Sequence, residues 1–549
     1  MNSELPCGWE KTPLSTLVNY AIGGDWGKAP DKIEDGFSEV FCIRGAEFRN
    51  WGDEKGRTAS LRVVKDSSLL NRMLVQGDIL VEISGGGPEQ PVGRTVLIDN
   101  ACLSHSSELP KIPTNFLRLI RTTKWVSSEY LNLYLTFFYN SGEVVNYQAG
   151  SNNLRNLKFN DYIGISIPLP PQAEQGRILL KVEELFSELD SGIESLKTAR
   201  EQLKVYRQSL LKHAFEGRLT EQWRKDNADK LESAEELLVR IQQEREARYQ
   251  QQLMAWEKTV SKWKADDKRG KKPAKPKVLK DIPIDADYHE GLPEIIMHWS
   301  YSPLGRLIDD PKYGTSKKCG YDSGQIGVLR IPNIASGVVD ASDLKFADFD
   351  EGELQDYQLL SGDVLIVRSN GSVSLVGKGA KISCDDEKYI YAGYLIRLRP
   401  NTKLIEPDYL LFGLEYHGIR KQIEGKAKST SGVNNINSGE LQSLIFPICT
   451  IGEQKEIVAH LERNLSINSA FMDEVDQNIK RSEALRQSIL KKAFSGQLVP
   501  QDPSDEPASE LLNRIAEEKA EIEAAAKAAK ATAKKAKPKK PHAKSKEKT

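Results

Sequence analysis

Apolar and polar positions alternate on two different periods along this chain, and each period occurs twice. In Pro171–Gly217, the residues Val182, Leu185, Leu189, Ile193, Leu196, Ala199, Leu203, Tyr206 and Leu210 recur at mixed threes and fours. That spacing is the seam of an amphipathic or coiled-coil helix. In Thr450–Gly496 the seam runs through Leu461, Leu465, Met472, Val475, Ile479, Leu485 and Ile489. The two stretches align without a gap, Glu174-Gln175 on Glu453-Gln454 and Arg207–Lys212 on Arg486–Lys491. Pro171 suits a first helical turn, Thr450 with Glu453 makes a capping box, and Gly217 and Gly496 stand where a left-handed residue ends a helix. A helix of this length extends roughly 65 Å. Its single apolar stripe needs a partner; the other copy is the cheapest one in a single chain, the alternative being that each stripe packs on its own neighbouring domain. Val182, Leu185, Leu189, Leu196 and Leu203 are therefore expected to pack against Leu461, Leu465, Met472, Val475 and Leu485.

The strand period brackets these helices. Gln76–Ser84 and Ser361–Ser369 each pair a Gly-Asp turn with a β run, and Val40–Arg44 and Ile326–Arg330 each end in a basic residue. Leu5-Pro6 with Trp9, and Leu292-Pro293 with Trp299, stand at equivalent starts. The whole chain thus reads as a tandem duplication of an α+β unit. Two β-rich domains, 1–170 and 291–448, are separated by two long antiparallel helices, 171–217 and 449–497, that pair as a coiled coil with pseudo-two-fold symmetry. A charged helical and low-complexity linker fills 218–290. The end, 498–549, is expected to hold a short helix and a disordered Lys/Ala-rich tail. Glu235–Ile241 and Ser509–Ile515 repeat as well.

Composition sharpens the picture where charge is concerned. The chain has 549 residues, 39% of them apolar and 28% charged, with a net charge of −1. Residues 524–549 hold ten Lys and one Glu, a charge of +9, so the rest carries about −10. Nucleic-acid affinity must come from local patches. Six dispersed cysteines with no CxxC pair read as reduced thiols. No apolar leader and no membrane-length run is present, and a cytoplasmic protein is inferred.

Catalytic constellations fail on inspection. In Gly371–Gly379 five residues rather than four separate the glycines, and Gly379 follows Lys378 where a phosphate loop needs Ser or Thr. Asp78 and Glu82 lack the lysine that a nuclease would place at Ser84. There is no Asn-Pro-Pro-aromatic or HExxH motif. Binding remains. Each half offers two loop systems rich in Gly, Ser, Asn and basic residues, in which glycines let backbone approach phosphate and Arg, Asn and Gln suit base edges. The candidates are Arg44, Ser84, Gln90, Arg94, Asn152 and Asn153 in the first half. In the second they are Arg330, Arg368, Asn370, Ser372, Lys378, Lys428, Thr430, Asn434 and Asn435. Ordinary turn chemistry favours the same residue types. A coiled-coil adaptor that reads no DNA is the competing class, and a degenerate nuclease using Asp78 and Glu82 a third.

Taken together, Pro168–Gln175 with its echo Pro447–Gln454, the helix ends 207–217 and 486–496, Leu219–Arg224 and Thr430–Ile436 resemble the specificity subunit of type I restriction–modification systems. The resemblance implies two target-recognition domains on a helical spacer that reads two specified blocks of double-stranded DNA across an unspecified gap. It implies a non-catalytic chain without a cofactor of its own. Two modification subunits and two restriction subunits would carry the S-adenosylmethionine, ATP and magnesium chemistry. The spacer sets an upper bound of about 19 base pairs, with half-site centres near one turn of roughly 10.

Overall fold

The computed structural model describes residues 5–31, 34–87, 90–105, 108–150, 154–267, 272–278, 282, 292–430 and 432–535. They group into two compact units, one built from 1–196 with 477–549 and the other from 197–476.

Among the described residues, each unit contains the same four sheets. In the first, a four-stranded antiparallel sheet has the order Val18–Gly23, Leu117–Thr122, Ile79–Glu82, Thr95–Leu97. In the second it is Lys312–Tyr313, Leu395–Leu398, Val364–Val367, Gly379–Lys381. A three-stranded sheet joins Phe37–Ile43 antiparallel to Ser60–Lys65 and parallel to Lys111–Pro113. Its counterpart joins Ile326–Leu329 antiparallel to Lys345–Ala347 and parallel to Ile390–Tyr391. Two-stranded ribbons, Glu10–Pro13 on Ser166–Leu169 and Ser300–Pro303 on Ile445–Ile448, close each domain where its long helix departs. The fourth sheet is described with the site. Period-two alternation divides the cores: Val364 and Ile366 face one cluster, Leu365 and Val367 the other.

The long helices span Gln172–Phe215 and Ile451–Phe494, 44 residues each. Both end in a Schellman turn, Arg218 N–H donating to His213 O at 2.8 Å and Gln497 N–H to Lys492 O at 2.9 Å, with Gly217 and Gly496 at φ +73° and +70°. Their starts differ from expectation. Pro171 lies just outside the helix and accepts the first helical bond, from Gln175 N–H. Thr450 Oγ1 accepts from Glu453 N–H at 3.4 Å, but the Glu453 carboxylate does not complete a capping box and is used elsewhere.

The helices pair antiparallel. In the first unit Ile178 and Val182 share a buried cluster with Ile489, Leu490 and Ala493, flanked by Leu185 and Leu189. Arg486 pairs with Asp190, and its guanidinium lies 4.4 Å from the Phe186 ring centroid. In the second unit Leu210 and Leu211 share a cluster with Leu461 and Leu465. Asn468 Nδ2 donates to Leu203 O at 3.0 Å, and Arg200 pairs with Asp476. A buried Asn on a seam fixes register at some cost in stability. Leu196, Met472 and Val475 are half-buried. Leu485, in contrast, is 49% exposed, because the seam passes from Ser482 to Arg486 and leaves it on the outer face.

Two further helices are longer than their composition suggested. Ala234–Ala265 starts from a Ser233/Glu236 capping box and buries Leu237 and Ile241, and Ala508–Lys535 buries Leu511 and Ile515. The Ala-rich part of the second stays helical as far as Lys535, in keeping with alanine's high helix propensity. Residues 536–549 of the lysine tail lie outside the described residues.

Candidate nucleic-acid interface

A Gly-Asp turn sets up the site in each unit. Gly77 and Gly362 both take φ +88°, a left-handed turn that glycine adopts without strain. Asp78 and Asp363, buried, then accept from Val75 N–H and Leu360 N–H at 2.8 Å. Each is also held by a guanidinium, Arg121 at 2.6 Å and Arg399 at 2.7 Å. These carboxylates fix the entry to strands Ile79–Glu82 and Val364–Val367, in which every residue is buried. Asp78 and Glu82 are thus structural anions bound to Arg121 and Arg94. The strands run straight into Ser84 and Ser369.

There the two loop systems of each half come together as one small antiparallel sheet. In the first unit the order is Gln148–Ala149, Arg155–Leu157, Ser84–Gly86; in the second it is Lys428–Thr430, Val433–Asn435, Ser369–Asn370. The registers correspond, with Asn156 opposite Ser84 and Asn435 opposite Ser369. Leu157 N–H donates to Ile83 O at 2.8 Å, and Ile436 N–H to Arg368 O at 2.9 Å. A cleft of about 320 Å³ lined by Gly87, Pro91, Gln148, Gly150 and Arg155 opens beside the first of these sheets.

The candidate side chains fall into distinct surroundings. Ser84 Oγ donates to Asn156 Oδ1 at 2.6 Å. Arg368 Nε donates to Asn435 Oδ1 at 3.2 Å while its guanidinium lies 4.7 Å from the Tyr313 ring centroid. Asn370 Oδ1 accepts from Ser372 N–H, Ser372 Oγ meets Ser374 Oγ at 2.8 Å, and Asn434 Nδ2 donates to Gly371 O. Lys378 is exposed.

Three of the candidate arginines are committed within their domains. Arg44 closes on Glu47, a residue whose carboxylate also accepts the Arg44 backbone N–H. Arg94 makes two bonds to Glu82 and one to Gly45 O. Burial depresses the Arg94 pKa, but the Glu82 hydrogen bonds, the Glu82 charge and Tyr139 together outweigh it and the net shift is upward. Gln90, its amide oriented by its neighbours, accepts from that same guanidinium. Arg330 donates to both the carbonyl and the carboxylate of Asp343. Asn152 and Asn153 lie outside the described residues. Lys428 and Thr430 are placed by their backbone only, in strand Lys428–Thr430.

Sequence reasoning noticed Glu174-Gln175 and Glu453-Gln454 as a repeat without seeing their use. Trp9 Nε1 donates to Glu174 Oε2 at 2.9 Å, and Trp299 Nε1 to Glu453 Oε2 at 3.0 Å. Gln175 accepts from Ser127 N–H and donates to Pro170 O; Gln454 accepts from Glu406 N–H and donates to Cys449 O. On the other side of each carboxylate stands a residue that follows the end of the other long helix. Gln501 donates to Glu174 Oε1 at 2.7 Å and to Gly496 O at 3.4 Å. Arg224 donates to Glu453 Oε1 at 2.5 Å and to Gly217 O at 2.6 Å, with Thr220 Oγ1 on the same carboxylate oxygen. Each unit therefore ties its domain, the start of one long helix and the end of the other through a single buried glutamate.

Known proteins resemble this chain in sequence and in fold. A family model described as the type I restriction modification DNA specificity domain matches residues 308–481. The EcoKI specificity subunit of Escherichia coli strain K12 is 25% identical over 530 residues, covering 94% of this chain and 97% of that protein. The StySPI specificity subunit of Salmonella potsdam is 23% identical over 532 residues, covering 94% and 96%. One chain of a structure described as the basis of complex assembly and conformational transition of the type I R-M system has a similar fold. Its TM-score is 0.59 at 17% identity, covering 90% of this chain and 100% of that one. With a family model on the second half, relatives matched over nearly the full length and the same strand order in both units, the chain belongs to the specificity subunits of type I restriction–modification systems.

Proposed function

We propose that each unit presents one target-recognition domain, within 1–170 and 291–448, and that the small sheet at the end of its central strand reads one half-site of a bipartite double-stranded DNA target. The observation that carries this reading is the convergence, in both units, of two separate loop systems on one small, half-buried sheet bearing Ser, Asn and Arg side chains. Ser84 and Asn156 form one polar pair on it, Arg368 and Asn435 the other. Asn370, Ser372, Lys378, Asn434 and the residues at 428 and 430 surround the second. Arg44, Arg94 with Gln90, and Arg330 hold the loops in shape. Paired donors and acceptors of this kind suit purine edges, while an exposed lysine suits phosphate.

As a specificity subunit the chain is the non-catalytic part of its enzyme complex. Two modification and two restriction subunits, using S-adenosylmethionine, ATP and magnesium, supply methylation, translocation and cleavage in the cytoplasm. No helix among the described residues is long and apolar enough to cross a membrane. The paired helices act as the spacer. At about 1.5 Å per residue, 44 residues reach roughly 66 Å.

Methylome sequencing of cells expressing the chain with its partner subunits tests the proposal. The expected result is adenine methylation at two specified blocks around an unspecified gap. Inserting one helical turn into both long helices should then lengthen the gap by about 5 Å of duplex, one to two base pairs, with the bases unchanged. A target with altered bases and the old gap would overturn the spacer role.

A further inference from the structure

An identical turn in each unit holds an aromatic side chain out into solvent. Leu117 N–H donates to Thr114 O at 2.8 Å and Leu395 N–H to Ala392 O at 2.9 Å. These bonds close the turns Thr114-Asn115-Phe116-Leu117 and Ala392-Gly393-Tyr394-Leu395, with the ring third in both. The turns connect corresponding strands, Lys111–Pro113 to Leu117–Thr122 and Ile390–Tyr391 to Leu395–Leu398. The leucine that follows is fully buried in each case, whereas Phe116 is 52% exposed and Tyr394 65%.

The position of these rings is tied to the candidate sheet. Phe116 O accepts from Ile83 N–H and Tyr394 O from Arg368 N–H, both at 2.9 Å. Ile83 and Arg368 are the residues before Ser84 and Ser369, where the small sheet starts, and their own carbonyls accept from Leu157, at the end of its next strand, and from Ile436, just past it. Folding does not need a ring there. Neither residue has positive φ, and the central positions of such a turn are served better by Asn, Asp, Ser or Gly. Isolated exposed apolar residues are common. An aromatic ring at the same turn position, with the same tie to the corresponding sheet in both units, is a pattern that chance exposure does not produce.

We infer that Phe116 and Tyr394 are the apolar anchors of the two half-sites. Each ring packs on the apolar face of a nucleotide, and so keeps water from the polar contacts of the neighbouring sheet. The face is either a thymine 5-methyl group or a base partly lifted from the stack, chemistries that aromatic side chains meet in nucleic-acid complexes. This inference rests on the DNA-reading role proposed above.

The test uses the complex assembled with its partner subunits, on a duplex carrying the methylated target. F116A and Y394A should each weaken binding roughly 10- to 100-fold, while F116W and Y394F retain most of the affinity. Thermal melting should stay unchanged, since both side chains are exposed. Placing deoxyuridine for thymidine along one half-site should weaken the wild type and not weaken further the variant whose ring faces that half. If only abasic sites have this effect, the contact is with an unstacked base. Wild-type affinity in both alanine variants, an equal loss on scrambled half-sites, or failure of the variants to assemble would each overturn the inference. Absence of target-specific binding by the wild type would instead overturn DNA reading itself.

Discussion

Glu174 and Glu453 occupy the same place in the repeat, and each accepts the same indole hydrogen bond, yet one is closed by an amide and the other by a guanidinium. Gln501 brings two neutral donors to the first unit. Arg224 brings a full charge into the second, with its side chain 13% exposed and that of Glu453 1%. The difference shows that what the duplication preserves is a geometry. A domain tryptophan, a helix-start carboxylate and a donor beyond the other helix's end are kept, while the charge balance has drifted. A buried ion pair is weak evidence for added stability, but it is costly to break from one side. The second unit should therefore be the more brittle of the two.

The largest effect is expected from Glu453→Ala. It strands Arg224, Thr220 and the Trp299 indole together, and losing one partner of a buried pair costs about 3–5 kcal/mol. Glu174→Ala leaves only neutral donors behind, at a cost of about 1–3 kcal/mol. Urea unfolding of the full chain, or of the complex if the chain needs its partners, measures both. Equal losses would mean that the charge in the second clamp is immaterial. Next in size come Tyr130→Phe and Tyr409→Phe. Both hydroxyls are fully buried and donate to equivalent carbonyls, Pro168 O at 2.8 Å and Pro447 O at 2.9 Å. Each should cost about 1 kcal/mol. Here the two units should agree, because no charge is involved, and a gap between them would place the asymmetry in the packing of the domains rather than in the clamps.

Much of this was legible in the sequence. The Gly-Asp turns, the buried strands after them and the glycine-ended helices follow from local chemistry, and the structure has them at the residues that spelled them. The clamps were not legible in the same way. Trp9 lies 165 residues from Glu174 and Trp299 lies 154 from Glu453, so no local pattern joins them; the repeated Glu-Gln pair was the one available signal. The small sheets were hidden for a different reason. Their strands are two or three residues long, too short for alternation to register. Leu485 misled because a seam read from apolar spacing alone gives no place to Ser482 and Arg486, and an arginine whose guanidinium lies over the Phe186 ring does fill one.

The smallest effect concerns the pH dependence of the first clamp, and it isolates charge from geometry. Burial raises the Glu174 carboxyl above its ordinary 4.5; the hydrogen bonds from Trp9 and Gln501, and the nearby Arg177, offset part of that rise, while Asp505 adds to it. The folded chain therefore holds this proton more tightly than the unfolded chain does. Its contribution to stability is complete below the ordinary value and is lost as pH rises through the folded value. Glu174→Gln removes the titration, so its penalty relative to wild type should be greatest in acid and shrink as pH rises past that value. Gln501→Arg supplies in the first unit the cation that Arg224 supplies in the second. It should pull the Glu174 pKa down and flatten or invert the same slope, while the indole bond from Trp9 remains. Urea midpoints of the three chains from pH 4 to pH 7 decide the matter. If the Gln501→Arg slope matches wild type, burial alone governs the carboxyl, and the asymmetry between the clamps is one of shape rather than charge.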